Sequence, residues 1–127
     1  MSDTTEPRMG TIVWKDLTVP NAAEVRDFYR EVVGWQSSEH DMGDYVDYGM
    51  LSPDGGESVA GICHARGSNA GIPPQWLIYI SVADVEASAR RCTELGGSVL
   101  DGPRTMGGNK FCVIQDPAGA VAALIGG

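Results

Sequence analysis

The sequence predicts an α+β fold made of two βαβββ modules. Three observations carry this. Asn21 and Asp84 each stand where a β-rich run gives way to a helical pattern, and they lie 63 positions apart in a chain of 127 residues. Each is followed by apolar residues at helical spacing and then by a glycine stop. Three short runs of strand-forming residues, parted by Pro and Gly turns, follow each helical stretch.

The first strand runs from Thr11 to Val19. Asn21 is placed to cap the first helix, and Glu24 completes a capping-box pattern. Val25, Phe28, Tyr29 and Val32 form the stripe expected to face the core, and Gly34 ends the helix. Strands follow at Trp35 to Ser38, Tyr45 to Leu51 and Ser58 to Ala65, the last two joined by the turn Ser52-Pro53-Asp54-Gly55-Gly56. The stretch Arg66 to Pro74 holds Gly67, Gly71, Pro73 and Pro74 and reads as a linker. The second module opens with a strand from Gln75 to Val82. Its helix carries Val85, Ala89, Cys92 and Leu95 and stops at Gly96-Gly97. Ser98 to Leu100, Lys110 to Gln115 and Val121 to Ile125 complete it, with the turn Asp116-Pro117-Ala118-Gly119 before the last strand. The expected organisation is a disordered tail over 1–9 and one domain over 10–127, with modules at about 10–65 and 75–127 and the linker at 66–74. Met106-Gly107-Gly108-Asn109 reads as a hairpin turn or a mobile lip. It lacks the lysine and following helix that a phosphate loop needs.

Composition narrows the function. Seventeen Asp and Glu against nine Lys and Arg give a net charge of −8 and a pI near 4.5. Such a field repels phosphate backbones, so neither nucleic acid nor an anionic membrane is an expected partner. The first ten residues lack the apolar core of a signal peptide, and no apolar run reaches membrane-spanning length. Cys63, Cys92 and Cys112 are odd in number and lack CxxC spacing, which reads as reduced, mostly buried thiols in a cytoplasmic protein.

Phe28-Tyr29 followed by Gly34-Trp35, then Val82 to Asp84, Gly96-Gly97 and Asp116-Pro117-Ala118-Gly119, form an ordered series from about Gly10 to Ile125. With this order and spacing the chain resembles the vicinal oxygen chelate superfamily, the glyoxalase/bleomycin-resistance/dioxygenase group. Ala60-Gly61-Ile62, Pro73-Pro74-Gln75-Trp76 and Gly119-Ala120 are similar to a glyoxalase-like branch of it. The resemblance implies sheets that curl around a shared cavity, helices on the outside, and a homodimer. Its metal-dependent members hold a divalent ion with His and Glu side chains from strands of both modules. Carried over one by one, those positions fall on Trp14, Gly61, Leu77 and Ala123. None offers a carboxylate or an imidazole. A register error of one recruits only Lys15 or Val13, Ala60 or Ile62, Ile78 or Trp76, and Ala122 or Leu124. The expectation is therefore no metal and no other cofactor.

Strand alternation nominates the cavity residues. Trp14 facing inward brings Ile12 and Asp16 to its side. Leu77 facing inward brings Tyr79 and Ser81, with Phe111, Val59 and Val121 as further candidates. The expected ligand-binding set is Trp14, Asp16, Leu77, Tyr79 and Phe111, taking a small, partly apolar or aromatic molecule. Trp14 and Leu77 either line this space or fill it. Asp16 is the candidate catalytic residue, as a general base or a polar anchor, or else a carboxylate held by backbone and water. Tyr45 and Asp47 share one face of their strand, Val46 and Tyr48 the other. Which of these faces inward stays open. His40 reads as a solvated loop residue in Glu39-His40-Asp41. His64 ends a strand, at the surface, at a dimer interface or at the cavity mouth. The alternative function is an enzyme (lyase, isomerase or oxygenase) that uses non-standard metal ligands or acid–base chemistry from Asp16 with Tyr79 or His64.

Overall fold

A computed structural model describes residues 8–127, so most of the expected tail over 1–9 lies outside the described residues. The element order is β1 (Ile12–Val19), α1 (Ala22–Val33), β2 (Gln36–Asp41), β3 (Val46–Leu51), β4 (Ser58–His64), a 3-10 turn (Gly67–Asn69), β5 (Trp76–Val82), α2 (Val85–Glu94), β6 (Ser98–Met106), β7 (Asn109–Gln115) and β8 (Val121–Gly126). The expected α+β fold with its two βαβββ modules is present. The chain divides into an N-terminal unit, Lys15–Trp76, and a C-terminal unit, Leu77–Gly127 with the described residues 8–14.

In the N-terminal unit the strands lie in the order β2-β3-β4-β1. β1 and β4 are parallel, with Asp16 opposite Gly61 and Thr18 opposite Cys63. The other two pairings are antiparallel. Helix α1 covers one face. Leu17, Val19, Ala22, Tyr48, Met50, Ala60 and Ile62 form the buried core there, with Val25 and Tyr29 packed against it. The predicted stripe is only half right. Phe28 and Val32 are 55% and 63% exposed. Ala22, Val25 and Tyr29 make the narrow seam that meets the sheet. Phe28 and Val32 are displaced around the helix by more than half a right angle, since each residue turns the axis by about 100°. The capping box does not form either. Asn21 has φ −112° and ψ 53°, outside the extended region a capping residue adopts, and its side chain caps no backbone N–H. Its Nδ2 donates to Glu24 Oε1 at 3.2 Å instead. Gly34 ends the helix in the left-handed conformation (φ 86°), as its missing Cβ allows.

In the C-terminal unit the order is β5-β8-β7-β6. β5 and β8 are parallel, with Tyr79 opposite Ala123, the counterpart of Asp16 opposite Gly61. The internal repeat thus reappears as the same ladder register. Val85, Ala89, Cys112 and Leu124 form the core under α2. Asp84 caps this helix, accepting from Ala87 N at 3.0 Å. β6 is far longer than Ser98 to Leu100. Gly102-Pro103 punctuates it without ending it, because register shifts on either side of Asp101 absorb the irregularity. Gly107 and Gly108 make the β6–β7 hairpin turn, with φ 57° and 90° and Met106 opposite Asn109. The chain before β1 also belongs here. Gly10 N donates to Ser81 O at 2.7 Å and Ser81 N to Thr11 O at 2.9 Å. Among the described residues no helix is long and apolar enough to cross a membrane.

Candidate functional site

The face of the N-terminal sheet opposite α1 collects polar side chains. Pleating sends alternate residues to opposite sides. Tyr48, Met50, Ala60 and Ile62 go to the helix, so Asp47, Gly49, Gly61 and Cys63 go to the other face. Ladder partners extend this face outward on both sides. Ser38 sits opposite Gly49, and His40 opposite Asp47. Asp16 sits opposite Gly61, and Thr18 opposite Cys63. One rung therefore reads Ser38, Gly49, Gly61, Asp16. The next reads His40, Asp47, Cys63, Thr18.

Two adjacent glycines in the first rung contribute no side chains of their own, and both are buried. At Gly49 the space is used closely. A Cβ there would stand 2.8 Å from His40 Nε2 and 3.0 Å from Ser38 Oγ. Neighbouring strands are about 4.8 Å apart, so Ser38 and Asp16 stand roughly 14 Å apart across this floor. That is a shallow trough, filled over Gly49 by the Ser38 hydroxyl and the His40 imidazole, with the Asp16 carboxylate on its far wall.

Asp47 organises the second rung. Its Oδ1 accepts from the backbone N–H of His64 at 2.8 Å and lies 3.4 Å from His64 Nδ1. The Cys63 thiol also bonds to Asp47. Burial, then the charges of Asp16 and Asp47 and this bond, push the thiol up to about 12. Cys63 therefore stays protonated and is a poor nucleophile. His64 packs edge-on against Tyr45 and tilted against Tyr48, at 5.7 and 6.1 Å between centroids.

The nominated residues divide between the units. Asp16, half-buried, is in the N-terminal unit. Trp14, Leu77, Tyr79 and Phe111 are in the C-terminal one. Tyr79 and Phe111 do meet, with rings 5.7 Å apart, and Leu77 and Phe111 are 1% and 2% exposed. The reading of His40 as a loop residue is corrected. It lies inside β2 and against Gly49, because pairing with β3 holds a strand that has no apolar alternation to announce it. Ser38, His40 and Gly49 were not nominated from the sequence. The lone glycine inside a strand was the available signal, since it marks close approach of a neighbour.

The residues at the four positions carried over from the resemblance do not fit a divalent ion. Trp14, Gly61, Leu77 and Ala123 supply an indole, a hydrogen and two hydrocarbon groups. Among the described residues no three His, Cys, Asp or Glu side chains converge as a metal site.

Comparisons agree with this architecture. The family model described as Glyoxalase/Bleomycin resistance protein/Dioxygenase superfamily matches residues 8–124. The chain is 28% identical over 117 residues to putative glyoxylase CFP32 of Mycobacterium tuberculosis, covering 91% of this chain and 44% of that protein. It is 29% identical over 116 residues to the anthracycline biosynthesis protein DnrV of Streptomyces peucetius, covering 91% and 41%. The chain thus spans less than half the length of these curated relatives. Methylmalonyl-CoA epimerase from Mycobacterium tuberculosis shares the fold at a TM-score of 0.55 and 16% identity, covering 99% of this chain and 92% of that one.

Proposed function

Because the chain belongs to the Glyoxalase/Bleomycin resistance protein/Dioxygenase superfamily, we propose that it binds a small, partly aromatic molecule without a catalytic metal, on the helix-free face of its N-terminal unit. The observation that carries this is the glycine-floored trough between Ser38 with His40 and Asp16. A flat ring can lie over Gly49 and Gly61 once the His40 side chain, whose ring end covers Gly49, swings aside. Hydroxyl groups on its edge can donate to Asp16 and exchange hydrogen bonds with Ser38 and His40. Similarity to a protein named for anthracycline biosynthesis supports a hydroxylated aromatic ligand. The proposed working form is a cytoplasmic homodimer.

Titration with a panel of hydroxylated aromatics, followed by native mass spectrometry and tryptophan quenching, tests the reading. The expected result is saturable binding at one molecule per chain, weakened at least tenfold in Gly49→Val. No saturable binder across the panel overturns it. Tight stoichiometric binding of a divalent ion in calorimetry overturns the metal-free part. A second reading, acid–base catalysis, draws on Asp16 and on the Asp47–His64 contact, because a carboxylate against a ring nitrogen orients a histidine for proton transfer. Conversion of a bound compound that is lost in both Asp16→Asn and His64→Ala selects this second reading.

A further inference from the structure

The C-terminal unit holds a feature that the proposed function does not use. A cleft of about 450 Å³ opens where β5 and β8 end, beside the residues that precede β1. Its volume lies in the range of small-molecule sites. Met9, Val13 and Ile125 give it apolar walls, while the Val82 side chain turns to the core under α2. Among the described residues no charged side chain lines it. The glycine hairpin of β6–β7 delivers Asn109 to the rim.

Two observations say that something should sit there. Met9 and Val13 are 57% and 38% exposed, so the walls present apolar surface to water. Ser81 also lines the cleft and is only 3% exposed. Its backbone N–H and carbonyl are taken by Thr11 and Gly10, but its hydroxyl has no hydrogen-bond partner among the described residues. Buried hydroxyls are ordinarily paired, and leaving one unpaired is costly. The space itself is backbone-defined. At Gly126 a Cβ would collide with the Val82 carbonyl oxygen, so β8 closes against β5 only because that residue is glycine.

We infer that this cleft is a second ligand site, for an uncharged and mainly apolar small molecule bearing a carbonyl or hydroxyl oxygen. The apolar body lies against Met9, Val13 and Ile125. The oxygen meets the Ser81 hydroxyl and the Asn109 amide. Phosphates, carboxylates and ammonium groups are disfavoured, because no charged side chain among the described lining residues compensates their desolvation.

The test pairs two probes of similar shape, 2-acetylnaphthalene and 2-isopropylnaphthalene, by saturation-transfer NMR and calorimetry on the full chain. Wild type should bind the ketone about fivefold tighter than the hydrocarbon, the worth of one net hydrogen bond. Ser81→Ala should erase that preference and leave hydrocarbon binding in place. Val13→Lys, at an exposed wall position that should tolerate it, should weaken both. Absence of saturable binding by either probe overturns the inference. So does a ketone preference that survives in Ser81→Ala. If binding is lost in His40→Ala and kept in Ser81→Ala, the probe sits on the N-terminal unit. The cleft inference then falls while the proposed function stands.

Discussion

The helix-free faces of the two units differ position by position on the same ladder. Asp16 opposite Gly61 in the N-terminal unit corresponds to Tyr79 opposite Ala123 in the C-terminal one. Gly49, opposite Gly61, corresponds to Val113, opposite Ala123. Asp47 with its neighbour His40 corresponds to Phe111 with its neighbour Arg104. One face is glycine and ionisable groups. The other is filled with aromatic and branched side chains, and its charges are spent internally. Arg104 grips Asp101 at 3.0 and 3.2 Å and lies 4.8 Å over the Phe111 ring. A repeated module has thus kept its register and parted in chemistry. Bulk at these positions makes core, and its removal makes a trough.

The largest expected effect breaks the filled face. Phe111→Ala deletes a ring that is 2% exposed and the platform under Arg104, and should cost about 3–5 kcal/mol in denaturant unfolding. Asp84→Ala comes next. It removes the only side-chain cap the two helices have and should cost about 1 kcal/mol, whereas Asn21→Ala should cost a few tenths. Equal losses would show that the two helix starts are not as different as their geometry.

Alkaline pH sharpens the contrast from the other side. Cys63 is held up at about 12 and Cys112 at about 11, both mainly by burial, against 9.0 for a free thiol. The unfolded chain therefore releases these protons first. Their contribution to stability is whole below about pH 9 and is lost as pH rises toward 11 and 12. Unfolding midpoints at pH 8 and pH 10 should differ more in wild type than in Cys63→Ala. Smallest in stability is Gly49→Val, which places the residue type of Val113 in the trough. His40 can swing aside, so the unfolding midpoint should move little while ligand binding falls. A large loss of stability with binding retained would mean that Gly49 serves packing alone.

Much of this molecule is legible in its sequence, and the gaps have physical causes. Both helices, their glycine stops and the Asp116–Gly119 turn follow from local rules of capping and φ. The half-repeat was visible as spacing. The trough was not, because β3 alternates two residue classes that are each able to face either way, and only pairing with β4 and α1 sends Tyr48 to the core and Asp47 outward. β6 was cut short at Leu100 because Gly102-Pro103 reads as a break wherever a bulge cannot be foreseen. Phe28 and Val32 obey helical spacing, yet the sheet offers a narrower seam than their stripe.

The start of α2 is held twice over. Asp84 accepts from Ala87 N, and the carbonyl of Gly127, at the far end of the chain, accepts from Val85 N at 2.9 Å. α1 has no side chain in the first role. In hydrogen–deuterium exchange this means that the opening turn of α2 reports on the whole C-terminal unit, since it cannot fray without releasing the last strand. The opening turn of α1 should exchange early and alone.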